Sequence, residues 1–375
     1  MSRAVRIQTA WIALLLLLAA FPVQAEESAS VEVRLNLDAA QEIVNAGEYG
    51  WDLNRILRDA MSGEFELDAD GITRFMRDEL SELFSRILPD FTAALVPVLL
   101  FSLLTQLLPE KASGGAKMAR FACAAASALT LTRRFHSEAE LAKASIRQIS
   151  SLTDALTPAL TVMLTVTGGT RSASLITPAG ALASRLMALA EEKGALALCA
   201  AGACVAVADG AGGLALRRLG AFLRSCAKKL LLVTTSCFFA LVSTGGLLNG
   251  VYDGAALKGA KLAAGTFIPI IGGEIADTME SLASSASLLR GALGVTALAA
   301  LLSVCLAPLL ACACSALACR FCAAVCEPVG DERVLRMMDA FADLFMTLSA
   351  AVAASAALVF SFIGATLGLA MRLYA

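Results

Sequence analysis

Long apolar stretches separated by short polar ones fill the chain after residue 90. A helix needs about 20 residues to cross the hydrocarbon of a membrane, and four stretches approach or exceed that length. They cover residues 91–108, 230–248, 291–319 and 341–371. Shorter or charge-bearing candidates cover residues 118–132, 150–167, 172–190 and 195–208. The pattern predicts an all-α, polytopic membrane bundle of about 6–8 transmembrane helices.

Two polar-flanked segments, residues 134–149 and 274–290, have apolar side chains spaced three and four residues apart. That spacing gives a helix one apolar face. The apolar face of the first segment comprises Phe135, Ala139, Ala142, Ile146 and Ile149. The residues expected to face water are Glu138, Glu140, Lys143 and Arg147. Such helices lie either on the bilayer surface or against their own protein's spans, and the pattern leaves both open.

The N-terminus has the pattern of a targeting segment. Arg3 and Arg6 precede an apolar run, which ends in small residues of the kind that a signal peptidase requires. Residues 1–25 are therefore predicted to be a signal peptide that is cleaved after Ala25. The alternative is an uncleaved signal anchor, and in either case the following segment would be translocated.

Residues 26–90 are rich in Asp and Glu, with apolar residues at helical spacing. This pattern predicts a small extracytoplasmic region of amphipathic helices. Residues 91–375 would then form the multi-pass membrane domain. The segment 210–229 carries five basic residues and no acidic one, so the positive-inside rule places it in the cytoplasm.

The composition strengthens the membrane prediction. Of the 375 residues, 58% are hydrophobic and only 17% are charged, against roughly a quarter charged in ordinary soluble domains. The mean hydropathy is +0.74. Aromatic residues make up only 6%, and no basic and aromatic residues interleave, which argues against nucleic-acid binding. The apolar stretches are rich in small residues, which favours close packing between helices or within an oligomer.

Charged residues inside or beside the apolar stretches are candidates for lining a water-filled path. Ionisable groups are costly in a membrane, although those near the end of a span can also reach the interface. The candidates are Asp154, Arg185, Asp209, Arg320 and Asp343.

No catalytic pattern is present in the sequence. His136 is the only histidine, and its charged neighbours indicate a solvated helix face. The chain has no GxxxxGK[ST] motif, the usual phosphate-binding loop of ATPases. We therefore expect no enzymatic activity, no cofactor and no metal.

The stretch CACSALACRFCAAVC contains five cysteines, from Cys312 to Cys326. A metal or redox centre is one interpretation. However, a Cys-x-x-Cys metal site normally lies in a turn with a second ligand pair. If the helix continues instead, Cys319, Cys322 and Cys326 share one face, where free cysteine acts as a small apolar residue. We favour helix packing.

The most distinctive order of residues lies between residues 249 and 294. It comprises Tyr252-Asp253-Gly254, Lys261, the stretch Gly265-Thr-Phe267-Ile-Pro269-Ile-Ile-Gly272-Gly273, and Asp277. Together with Glu327-Pro328-Val-Gly330 and a long apolar C-terminal stretch, this order resembles the family of stage III sporulation protein AE. The resemblance covers nearly the whole chain, but the cysteine-rich stretch is not part of the family pattern.

The resemblance implies a non-enzymatic subunit of the mother-cell membrane that faces the forespore. It implies as partners the other membrane proteins of the same sporulation operon and a forespore-membrane protein. Together they would form a channel or secretion-like complex needed for forespore development, powered by a separate operon-encoded ATPase. The alternatives are a stand-alone permease for a small solute and a membrane enzyme that uses thiols.

Residues 267–273 are apolar but contain the helix breakers proline and glycine. Non-helical backbone at membrane depth is tolerated where it is buried in protein or lines a cavity. We expect a broken or re-entrant segment here, and the alternative is an interfacial elbow before an amphipathic helix. The candidate residues of this segment and its polar mouth are Asp253, Gly254, Lys261, Phe267, Pro269, Gly272, Gly273 and Asp277.

Overall fold

The computed structural model describes residues 38–45, 52–62, 113–166, 170–212, 215–240, 272–328 and 331–374, with isolated positions between 81 and 96. All regular elements in these residues are helical, which confirms the all-α character of the predicted fold for this part of the chain. They are α1 (Asp38–Asn45), α2 (Leu53–Ser62), α3 (Ser113–Val166), α4 (Thr170–Ala190), a π-helical turn (Glu191–Leu196), α5 (Ala197–Gly210), α6 (217–240), α7 (Gly272–Cys326) and α8 (Glu332–Tyr374). The predicted signal peptide and its cleavage site after Ala25 lie outside the described residues.

Two helices are longer than the apolar pattern predicts. The separately predicted segments 118–132, 134–149 and 150–167 belong almost entirely to α3, and α7 joins segments 274–290 and 291–319. The breaks predicted between these segments are wrong. Arg, Glu, Lys and Ala are strong helix formers, so a charged stretch does not by itself end a helix.

The gap between the separately predicted segments 172–190 and 195–208 is helical as well. α4 passes directly through the π-helical turn into α5, so the helical path is continuous from residue 170 to residue 210. In addition, α6 begins at residue 217, and most of the predicted basic loop is therefore helical. We call the continuous path through α4, the π-turn and α5 the α4–α5 helix.

α8 lies in the middle of the bundle. It packs antiparallel to α7, because Arg320 of α7 pairs with Asp343 while Leu309, nearer the start of α7, accepts a hydrogen bond from Ser349. The α4–α5 helix also runs antiparallel to α8, because Gly180 lies against Phe362 and Gly210 against Met337. α3 contacts both α7 and α8. Among the largest fully buried side chains are Phe341, Phe345 and Phe362, all of which belong to α8.

Small residues allow the α4–α5 helix to approach α8 closely. Gly180 lies against the ring of Phe362, and a Cβ atom placed on Gly210 would lie 2.8 Å from Cβ of Met337. Any larger side chain would therefore push the helices apart at these two points. This close packing agrees with the role predicted for small residues in the apolar segments.

The short helices α1 and α2 pack on the bundle. Leu53 of α2 is fully buried, as is Val44 of α1. The two helices are joined by a hydrogen bond of 2.7 Å from the backbone N–H of Leu53 to Oε1 of Gln41. Asp52 caps α2, because its Oδ1 accepts the backbone N–H of Arg55 at 3.0 Å. α2 contacts α7, and α1 contacts α3 and α7.

Candidate functional site

The structure places only part of the sequence-predicted site. The predictions for Asp253, Gly254, Lys261, Phe267 and Pro269 lie outside the described residues. The remaining three, Gly272, Gly273 and Asp277, lie in the first two turns of α7. Since α7 begins at Gly272, the last two residues of the predicted broken segment are helical.

The cysteine-rich stretch forms the C-terminal part of α7. Its helical continuation is confirmed, because α7 ends at Cys326, and all five of its cysteines are buried. Among the residues that the structure describes, no three His, Cys, Asp or Glu side chains are grouped so as to hold a metal ion. The stretch thus contributes buried thiols to the contacts of α7 with its neighbours.

All five charged residues that the sequence singles out form ion pairs between helices. Arg185 Nε of α4 lies 2.9 Å from Asp154 Oδ2 of α3. Asp343 of α8 lies 3.5 Å from Arg320 Nη2 of α7 and 3.7 Å from Arg224 Nε of α6. Asp209 of α5 also pairs with an arginine of another helix.

Asp209 lies at the end of α5. Its Oδ2 is 3.9 Å from Nε of Arg336 in α8, and its Oδ1 accepts the backbone N–H of Leu216 at 3.0 Å. Asp209 therefore ties α5 to α8 and also holds the short connection to α6. The charges in and beside the apolar segments thus join α3 to α4, and join α5, α6 and α7 to α8.

A buried polar cluster, missed by the sequence analysis, joins α3 to α7. Glu138 is only 3% exposed and pairs with Arg134 through an Nη2–Oε1 distance of 2.5 Å. Ser315 donates a hydrogen bond of 3.2 Å to Oε1 of Glu138, and the Cys312 thiol lies 3.7 Å from Oε2. The prediction that Glu138 faces water is therefore wrong.

The environment of Glu138 has two opposing effects on its charge. Burial raises the pKa of the Glu138 carboxyl, whereas Arg134 and the hydrogen bonds from Ser315 and Cys312 lower it. A buried carboxylate without these partners would be costly. Arg134 is thus the counter-charge on which the cluster depends.

The π-helical turn carries a second buried carboxyl group. Glu191 is fully buried, and the hydroxyl of Ser355 on α8 donates a hydrogen bond to its Oε2. Its Oε1 has no hydrogen-bond partner among the described residues. π-turns inside α-helices are frequent at functional sites, and ionisable groups within apolar helices usually face the interior of the bundle. Glu191 is therefore a candidate functional residue that the sequence analysis did not identify.

The next residue of the π-turn points to a different helix. Glu192 accepts two hydrogen bonds from Arg147 of α3, at 2.8 Å from Nε to Oε2 and 2.5 Å from Nη2 to Oε1. This bidentate geometry is the strongest arrangement for an arginine and a carboxylate. Consecutive glutamates thus connect the π-turn to α8 on one side and to α3 on the other.

Replacing Ser355 with alanine should lower the free energy of unfolding by about 1–3 kcal/mol, since Glu191 loses its hydrogen-bond donor. Detergent-solubilised protein unfolded with SDS and followed by circular dichroism measures this change. Ser236→Ala is the matched control, because this exposed hydroxyl donates a hydrogen bond to the backbone carbonyl of Leu232 in its own helix. Adding Glu191→Leu to Ser355→Ala should restore stability. Equal losses from both serine substitutions would contradict the assignment.

The spacing of buried residues contains the signal that could have found both glutamates. Glu138 follows Phe135 by three residues and precedes Ala142 by four, so it lies on the buried stripe of α3. Glu191 similarly follows Met187 by four residues on the buried side of α4. Charge alone suggested an exposed position for Glu138, whereas the helical register indicates a buried position for both glutamates.

Within the residues that the structure describes, three helical segments are long and apolar enough to cross a membrane: Gly180–Gly210, Gly291–Cys326 and Glu332–Leu367. With polar side chains buried between them, these helices define the class of protein, a helical protein with the features of a membrane protein.

The sequence model of the family described as stage III sporulation protein AE matches residues 51–370, and the chain belongs to this family. The stage III sporulation protein AE of Bacillus subtilis (strain 168) is 26% identical over 220 residues. That alignment spans 58% of this chain and 55% of the relative, so it covers about half of the relative's length. No solved structure matches the chain.

Proposed function

We propose that this protein is a non-enzymatic, multi-pass membrane subunit of a channel or secretion-like complex. The complex would link the mother cell to the forespore and support forespore development. The family match over residues 51–370 carries this proposal. The partners would be the other membrane proteins of the sporulation operon and a forespore-membrane protein, with a separate operon ATPase as the source of energy.

The contacts of the charged residues support a role in assembly. Asp154, Asp209 and Asp343 each bind an arginine of another helix, and Glu138 and Glu191 are hydrogen-bonded to neighbouring helices. Such contacts fix the relative positions of helices. This arrangement suits a subunit that presents a fixed surface to its partners.

Purification of the tagged protein from sporulating cells tests the proposal. Solubilisation in a mild detergent should recover the operon-encoded membrane proteins together with the tagged chain. An unrelated tagged multi-pass protein from the same cells controls for non-specific capture. The purified chain alone should hydrolyse no ATP and should transport no solute in liposomes. Elution as a single species, or solute transport by the isolated chain, would contradict the proposal.

A further inference from the structure

A groove of about 420 Å³ lies on the surface between α6 and α8. α6 contributes six of its lining residues and α8 contributes one. These residues are Ala221, Arg224, Ser225, Lys228, Lys229, Leu232 and Asp343.

The charge of this groove is positive. Three of its side chains are cationic, and its single carboxylate, Asp343, is shared between Arg224 and Arg320. In the part of the chain that the structure describes, neither Lys228 nor Lys229 forms an ion pair, and both are exposed. The two ammonium groups are thus available to an anion, and the hydroxyl of Ser225 offers a further donor at the same place.

The helix that carries these cations changes character at the groove. Residues 217–229 contain five basic side chains, whereas the remainder of α6 from residue 230 contains none. Leu232 and Val233 lie in the next turn and are 67% and 58% exposed. Cationic side chains beside exposed leucine and valine match the boundary between phosphate groups and acyl chains in a bilayer.

We propose that the groove binds the phosphate headgroup of an anionic phospholipid. Lys228 and Lys229 hold the phosphate together with the exposed edge of Arg224, and the acyl chains lie along Leu232 and Val233. Basic pockets between helices on the cytoplasmic side are a recurrent form of anionic-lipid site. The inference goes beyond the proposed function and does not depend on it, since it concerns only the isolated chain and lipid.

Binding of fluorescent phosphatidylglycerol to the purified full-length protein in a neutral detergent tests the inference. The double substitution Lys228→Gln with Lys229→Gln should weaken binding by about tenfold or more, because two cations near the phosphate are lost. The matched control is Arg217→Gln with Arg218→Gln, which removes the same charge from exposed positions of α6 outside the groove. This control should change the affinity by less than about threefold, the small effect of charges distant from the bound group.

Further measurements distinguish the occupant and protect against misfolded variants. Lys228→Arg with Lys229→Arg should retain binding, and circular dichroism should show that every variant is folded. Leu232→Asn should weaken phosphatidylglycerol binding, and phosphatidylcholine should bind much less tightly. Equal effects of the two glutamine pairs would overturn the proposal. So would competition by inorganic phosphate at the same concentration as the lipid, which would indicate a site for a soluble anion.

Discussion

Replacing Arg134 with methionine is expected to lower the free energy of unfolding by about 3–5 kcal/mol, the usual cost of leaving a buried charge without its partner. Glu138 is 3% exposed and would keep only the hydroxyl of Ser315 and the thiol of Cys312 as donors. The loss should be visible as an earlier unfolding transition in an SDS titration of the detergent-solubilised protein.

A neighbouring arginine provides the control for this experiment. Arg133→Met removes the same charge from an exposed position one residue earlier and should leave the transition nearly unchanged. The double substitution Arg134→Met with Glu138→Leu should recover most of the lost stability, because well-packed apolar residues commonly replace a buried ion pair without cost. If Arg134→Met and Arg133→Met behaved alike, the buried cluster would not stabilise the contact between α3 and α7.

Replacing Phe345 with alanine should cost about 3–5 kcal/mol, the range measured for removing a buried aromatic ring. Phe345 is fully buried in α8, and its ring centroid lies 6.0 Å from that of Phe135 and 6.5 Å from that of Phe341. The three rings join α3 to α8, and Phe135 meets Phe341 edge to face at 6.0 Å. The same SDS titration measures the change.

Phe321→Ala is the matched control for this second prediction. Phe321 has the same side chain, but it is 70% exposed on α7. Its removal should shift the transition far less, because an exposed ring leaves no cavity in the bundle. A loss of stability as large as that of Phe345→Ala would contradict the assignment of Phe345 to the core and of Phe321 to the surface.

The two glutamates of the π-turn in the α4–α5 helix have different surroundings. Glu191 is buried against Ser355, and Glu192 binds the exposed Arg147. A regular α-helix rotates consecutive residues by about 100°, so adjacent residues face different sides of the helix. The sequence therefore indicates that the two differ, and the contact with Ser355 of α8 shows that Glu191 is the buried one.

The apolar pattern predicted helices correctly for the two longest stretches. The segments 291–319 and 341–371 lie within the observed helices α7 and α8, and the cysteine-rich stretch is helical as expected. The apolar face predicted for residues 134–149 is also confirmed, and Phe135 shows that it packs on the protein's own helices. These properties depend on residues close together in the chain, which is why the sequence alone could reveal them.

The sequence by itself determined the apolar, helical character of the chain and the close packing of its small residues. The tertiary structure decided which partners the buried charges have, because Glu138 meets Ser315 and Glu191 meets Ser355 across more than 160 residues of chain. It also decided where helices continue through charged stretches. The free energy of a charged side chain depends on the partner beside it, and no local pattern in the sequence specifies that partner.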